Sequence, residues 1–129
     1  LKINNLTIIN DSYNANPASM KVGLDRLDRW QAKYKIAVLG DMFELGENED
    51  QFHAEIGNYL KGMDINTVLF TGERMKSAFQ TLNGSLETHW YSSKKEISNW
   101  LNNLNNKNAV IYLKGSRGMK MEKVIEELR

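Results

Sequence analysis

Leu6-Thr7-Ile8-Ile9-Asn10-Asp11-Ser12-Tyr13-Asn14-Ala15-Asn16-Pro17 reads as a strand, a polar loop and a helix start in succession. Leu6 to Asn10 is a short, β-branched apolar run of strand character. Pro17 suits the first position of a helix, where its missing N–H costs nothing, and Asn16 before it fits the cap. Met20, Leu24 and Leu27 then share one helical face, and Trp30 extends it. The same unit recurs. Strands are predicted at Lys35–Leu39, Thr67–Thr71, His89–Tyr91 and Ala109–Lys114. The helices between and after them carry Phe52, Ile56, Tyr59, Leu60 and Met63; then Met75, Phe79 and Leu82; then Ile97, Leu101 and Leu104, with Ser93 and Glu96 at capping-box spacing; and finally Met121, Val124, Ile125 and Leu128. Strands alternating with helices predict an α/β fold: a Rossmann-like, open, mostly parallel sheet of five or six strands with helices on both faces. Lys2 and Ile3, before an Asn4-Asn5 turn, supply the optional sixth strand as an antiparallel edge. The winding expected is flavodoxin-like or Rossmann-like, and pairing order is left open.

The 129 residues fit a single domain, 1–129. Hydrophobic residues at 41% and charged residues at 26% exclude wholesale disorder. Seventeen Lys and Arg against sixteen Asp and Glu leave a net charge of +1, so nothing favours nucleic acid or an anionic membrane. The absence of cysteine removes disulfides, thiolate zinc and a cysteine nucleophile, and suits a reducing cytoplasm. Apolar runs fall far short of the roughly 20 residues a spanning helix needs, so no membrane insertion is expected. The start, Leu-Lys-Ile-Asn-Asn, is neither a signal peptide nor an initiating methionine, and predicts a chain cut from something longer. Asn102, Asn103, Asn105, Asn106 and Asn108 read as a polar helix end and loop.

Ligands of open α/β sheets bind beyond the carboxyl ends of the strands, which selects four loops. In the first, Asp11 sits where an acid accepts from ribose hydroxyls, or alternatively forms an Asx turn. Tyr13, Asn14 and Asn16 follow, with Asn16 reading first as the helix cap. The second, Gly40 to Gly46, offers Asp41 and Glu44, either as partners for an ammonium group or as acids favouring the next helix start. The third is Thr71-Gly72-Glu73. The fourth sets Lys114, Ser116 and Arg117 around Gly115 and Gly118 at an expected helix start, an arrangement suited to a carboxylate or phosphate or to a tight turn with a solvated Arg. Gly115 is expected to let the backbone approach a ligand.

His53 and His89 lack any visible nucleophile partner and read as structural. The tryptophans and methionines read as packing. No phosphate loop, Gly-x-Gly-x-x-Gly fingerprint, His-Glu-x-x-His or nucleophile elbow occurs. A self-contained nucleotide enzyme is therefore not expected, and neither catalytic nor metal-ligating residues are assigned to this chain.

Three stretches together resemble the C-terminal domain of the Mur ligases. These are Asp11-Ser12-Tyr13-Asn14-Ala15-Asn16-Pro17-Ala18-Ser19-Met20, Val38-Leu39-Gly40-Asp41-Met42-Phe43-Glu44-Leu45-Gly46 with His53 and Ile56-Gly57, and Leu113-Lys114-Gly115-Ser116-Arg117-Gly118-Met119-Lys120-Met121-Glu122. Asn14-Ala15-Asn16 before Pro17 points to the branch that joins D-alanyl-D-alanine to UDP-N-acetylmuramoyl-tripeptide. The resemblance implies an ATP-dependent amide ligase of peptidoglycan synthesis, acting in the cytoplasm. It implies N-terminal and central domains absent from this chain, with the phosphate loop and the Mg2+ ligands on the central one. The isolated domain is then expected to be inactive. Asp11, Tyr13, Asn14 and Asn16 match the family's ATP-binding loop. Asp41, Glu44, Lys114, Ser116 and Arg117 match the loops facing D-alanyl-D-alanine. The competing readings are a relative adding another amino acid, a folylpolyglutamate synthase-like ligase, and a receiver-like α/β binding module. The Asn-Ala-Asn-Pro and Gly-Asp-Met loops speak against the first two. The lack of paired early acids, with Asn10 before Asp11, speaks against the third.

Overall fold

A computed structural model describes residues 1–3, 5–82, 84, 86–104 and 108–129. The expected turn at Asn4 and the loop positions Asn105 and Asn106 lie outside the described residues. Six strands form one sheet: β1 (Lys2–Ile3), β2 (Leu6–Asp11), β3 (Tyr34–Leu39), β4 (Thr67–Thr71), β5 (Glu87–Tyr91) and β6 (Ala109–Lys114). Its order is β1-β2-β6-β3-β4-β5. Only β1 runs antiparallel, against β2. The last strand thus inserts between the first two parallel ones. The residues explain why: every position of β6 is buried, as a strand covered on both faces requires, whereas β5 is half-exposed and lies at the edge.

The helices are α1 (Pro17–Arg29), α2 (Glu49–Leu60), α3 (Lys76–Thr81), α4 (Lys94–Asn102) and α5 (Lys123–Glu126). The steps β2 to β3, β3 to β4 and β4 to β5 all move the same way across the sheet. They bring α1, α2 and α3 to one face, over Ala37, Leu39, Val68, Phe70, Val110 and Tyr112. The step back from β5 to β6 carries α4 to the other face, which α5 shares, over Ile36, Val38, Leu69, Ile111 and Leu113. Uniformly right-handed crossovers demand this division. The chain therefore leaves β2 and β3 toward one face and β6 toward the other. That divergence makes the carboxyl ends of β2, β6 and β3 the switch point at which open α/β sheets place their ligands.

Local signals explain the helix boundaries. The Asn16 side chain accepts from the Ser19 N–H while Ser19 Oγ accepts from the Asn16 N–H, a capping box ahead of Pro17. Met20, Leu24 and Leu27 are fully buried beneath α1, each leucine contributing roughly 1.5–3 kcal/mol by burial. Trp30 does not extend that face: it is the extended C-cap residue and is 42% exposed. Ser93 caps α4 by accepting from the Glu96 N–H. Hydrogen bonds from Ser92 and Ser93 hold the Glu96 carboxyl below its usual range.

Candidate functional site

Asp11 and Lys114 end neighbouring strands and are register partners. The Lys114 ammonium donates to Asp11 Oδ2 at 2.9 Å and to the Asn14 carbonyl at 2.9 Å, which pins the loop after β2 to β6. Tyr112 Oη donates to the same Oδ2 at 2.6 Å. Lys114 is 3% exposed and Asp11 43%. The resemblance divides these two residues between subsites, whereas the geometry joins them in one ion pair. Asn14 Oδ1 accepts from the Ala15 N–H within the loop. Asn16 is occupied in capping, and Tyr13 stands out into solvent.

The loop after β3 is built inward. Asp41 is buried; its Oδ1 accepts from the Met75 N–H at 2.9 Å and its Oδ2 faces the Arg74 guanidinium at 3.4 Å. Asp41 therefore ties the loop after β3 to the start of α3 and has no open face for an ammonium group. Arg74 also donates to Glu49 Oε1 at 3.1 Å and covers the Phe43 ring with its guanidinium. Sequence reasoning passed over Arg74, although its place just beyond the Gly72 loop was the available signal. His53 is fully buried. Its Nε2 accepts from the Met42 N–H at 3.0 Å, so its Nδ1 carries the proton and donates to the Glu49 carbonyl at 2.7 Å. The structural reading of His53 fits this geometry. Glu44 alone among the loop's acids faces solvent, on a left-handed backbone with φ 63°.

Ser116 is buried between the two loops. Its N–H donates to the Asp41 carbonyl at 2.9 Å, and its Oγ accepts from the Phe43 N–H at 2.7 Å. Gly115 does not face a ligand: a Cβ there would meet Met121 Cγ at 2.7 Å and Gly40 Cα at 3.2 Å. Its bareness lets the β3 and β6 loops cross. The expected helix start at Ser116 and Arg117 is corrected. Arg117–Met119 is a 3-10 turn, Lys120 is left-handed at φ 52°, and the four-residue α5 begins at Lys123. Met121 turns into the core with no exposed surface, which holds the break in place. Arg117 is exposed, its guanidinium lies 5.1 Å from the Tyr13 ring centre, and no helix dipole backs it. Among the described residues no three His, Cys, Asp or Glu side chains gather in a way that could hold a metal, and no helix is long and apolar enough to cross a membrane.

The family model of the Mur ligase, glutamate ligase domain, matches residues 1–117. The UDP-N-acetylmuramoyl-tripeptide–D-alanyl-D-alanine ligase of Buchnera aphidicola (strain APS) is 39% identical over 126 residues, covering 96% of this chain and 27% of that protein. The protein of the same name from Bacillus subtilis (strain 168) is 34% identical over 128 residues, covering 95% and 28%. Among solved structures, the MurF ligase of Thermotoga maritima in complex with ADP superposes with a TM-score of 0.83 at 27% identity, over 98% of this chain and 29% of that one. MurF of Acinetobacter baumannii superposes at 0.86 with 26% identity, over 99% and 29%. The chain thus spans less than a third of the length of these relatives. On both the family match and the identity shared across almost its whole length, the chain belongs to the Mur ligase family, as its glutamate ligase domain.

Proposed function

We propose that the chain is the C-terminal part of an ATP-dependent ligase that adds D-alanyl-D-alanine to UDP-N-acetylmuramoyl-tripeptide in the cytoplasm, during peptidoglycan synthesis. The observation that carries this reading is the 39% identity, over 96% of the chain, to a relative with that name. Nucleotide use is supported by the ADP complex of the Thermotoga relative and by the half-exposed Asp11 carboxylate at the carboxyl end of β2. Asp11 Oδ1, which receives no protein donor among the described residues, accepts from the ribose hydroxyls. Tyr13 and Asn14 border the adenine, and Asn16 acts through the helix start it caps.

Arg117 pairs with the terminal carboxylate of the dipeptide through a two-pronged, charge-assisted contact. Glu44 is the acid left to meet its ammonium group. Asp41, Ser116 and Lys114 serve by holding these loops in place. ATP supplies the phosphoryl group that activates the tripeptide carboxylate. The N-terminal and central domains complete the site, the central one holding Mg2+.

The test uses the complete ligase containing this chain and follows ADP release with tripeptide substrate, ATP, Mg2+ and D-alanyl-D-alanine. Turnover is expected only with all components present, and none from the 129-residue chain by itself. Faster turnover with a single amino acid than with the dipeptide overturns the substrate assignment. Arg117→Ala should raise KM for the dipeptide about thirtyfold, the equivalent of roughly 2 kcal/mol, with a much smaller rise for ATP. A larger effect on ATP hands this loop to the nucleotide.

A further inference from the structure

Tyr112 is the strangest residue of the central strand. It shares the helix-covered face of the sheet with Ala37, Leu39, Val68, Phe70 and Val110, and it is 3% exposed. Burying a hydroxyl is unfavourable without a partner, so the partner reveals its use. The phenol donates to Asp11 Oδ2 at 2.6 Å. Burial, and then the Asp11 carboxylate, push the Tyr112 phenol well above its usual range, against a small opposing effect of Arg26. The group therefore remains an O–H donor throughout the working pH range.

Helix α1 has been opened to admit this ring. Gly23 lies on the buried face of α1, between Met20 and Leu24. A Cβ at Gly23 would stand 1.7 Å from the phenol oxygen and 2.4 Å from Cζ. A mid-helix glycine costs about 1 kcal/mol relative to alanine, so its presence here matches the passage of the ring beneath the helix. Ile9 and Tyr112 are register partners, as are Asp11 and Lys114 two residues on. Since side chains two apart share a face, Tyr112 and Lys114 both reach Asp11 from the same side. Both end on Oδ2, at 2.6 Å and 2.9 Å, and Oδ1 receives no donor among the described residues.

We infer that Tyr112, admitted by Gly23, is a positioning residue for the nucleotide: it anchors one oxygen of Asp11 so that the other faces the ribose. This rests on the nucleotide reading of Asp11 given above. An acid held by two donors from below has lost most of its rotational freedom before the ligand arrives, and that loss no longer weakens binding.

The test is steady-state kinetics on the complete ligase with wild type, Tyr112→Phe, Asp11→Asn and the double variant. Tyr112→Phe keeps the ring in its slot and removes only the donor. KM for ATP should rise about three- to tenfold, with kcat and KM for the dipeptide within twofold. Asp11→Asn should raise KM for ATP more, about tenfold to a hundredfold, and adding Tyr112→Phe to it should change little, because the phenol acts only through the carboxylate. A raised KM in Asp11→Asn beside a wild-type KM in Tyr112→Phe overturns the positioning role alone. So do fully additive effects. An unchanged KM for ATP in Asp11→Asn overturns the nucleotide reading, and this inference with it.

Discussion

Two lysines are buried at opposite ends of the sheet, and they do different things. Lys35, at the amino end of β3, is 1% exposed and has all three of its protons placed. They go to the Asp28 carbonyl at 2.7 Å, the Trp30 carbonyl at 3.1 Å and Asp64 Oδ2 at 3.2 Å. It closes the end of α1, where carbonyls run out of helical partners. Lys114, at the carboxyl end of β6, is 3% exposed and has two acceptors among the described residues, Asp11 and the Asn14 carbonyl. Both carboxylate partners reach solvent, Asp64 at 82% side-chain exposure and Asp11 at 43%. Burial of a lysine is therefore no sign of a site. Among the described residues the two ends differ in the ammonium group itself, which meets three acceptors at Lys35 and two at Lys114.

The largest expected effect is on the closed end. Lys35→Met keeps most of the volume but strands two carbonyls among apolar groups, so unfolding free energy should fall by roughly 2–4 kcal/mol. Urea denaturation of the 129-residue chain measures it. Kinetic constants of the folded ligase should be unaffected, and a rise in KM for either substrate would break the contrast. Lys114→Met should do the reverse. Asp11 stays half-exposed and hydrated, so stability should drop by only about 1–2 kcal/mol, while KM for ATP should rise at least about tenfold as the carboxylate and the Asn14 loop come loose. Equal stability losses in the two variants would show that both lysines are structural.

A smaller effect sharpens the boundary within the first loop. Asn16→Ala removes a cap, and should cost about 1 kcal/mol in urea with less than a threefold change in KM for ATP. A large kinetic change without a stability loss would move Asn16 from the helix start into the nucleotide site.

The βα order, the caps at Asn16 and Ser93 and the positions of the polar loops were legible in the sequence, because each depends on residues within a few positions of one another. Periodicity, a capping residue and a glycine at a strand end act locally. The same logic failed at Arg117, where a helix was expected, because the left-handed Lys120 and the inward turn of Met121 are decided by the core beneath them.

Strand order and side-chain pairing were decided by the tertiary structure. Placing β6 between β2 and β3 brings Lys114 to Asp11 across 103 positions and Ser116 to Phe43 across 73. It makes Asp41 an internal brace for Met75, 34 residues away, where the sequence read it as an acid facing a ligand. Residue type announces that a carboxylate or an ammonium group is present at a strand end. Whether that charge is consumed inside the protein or left open to a ligand depends on which distant chain segment packs against it, and only the folded sheet determines that.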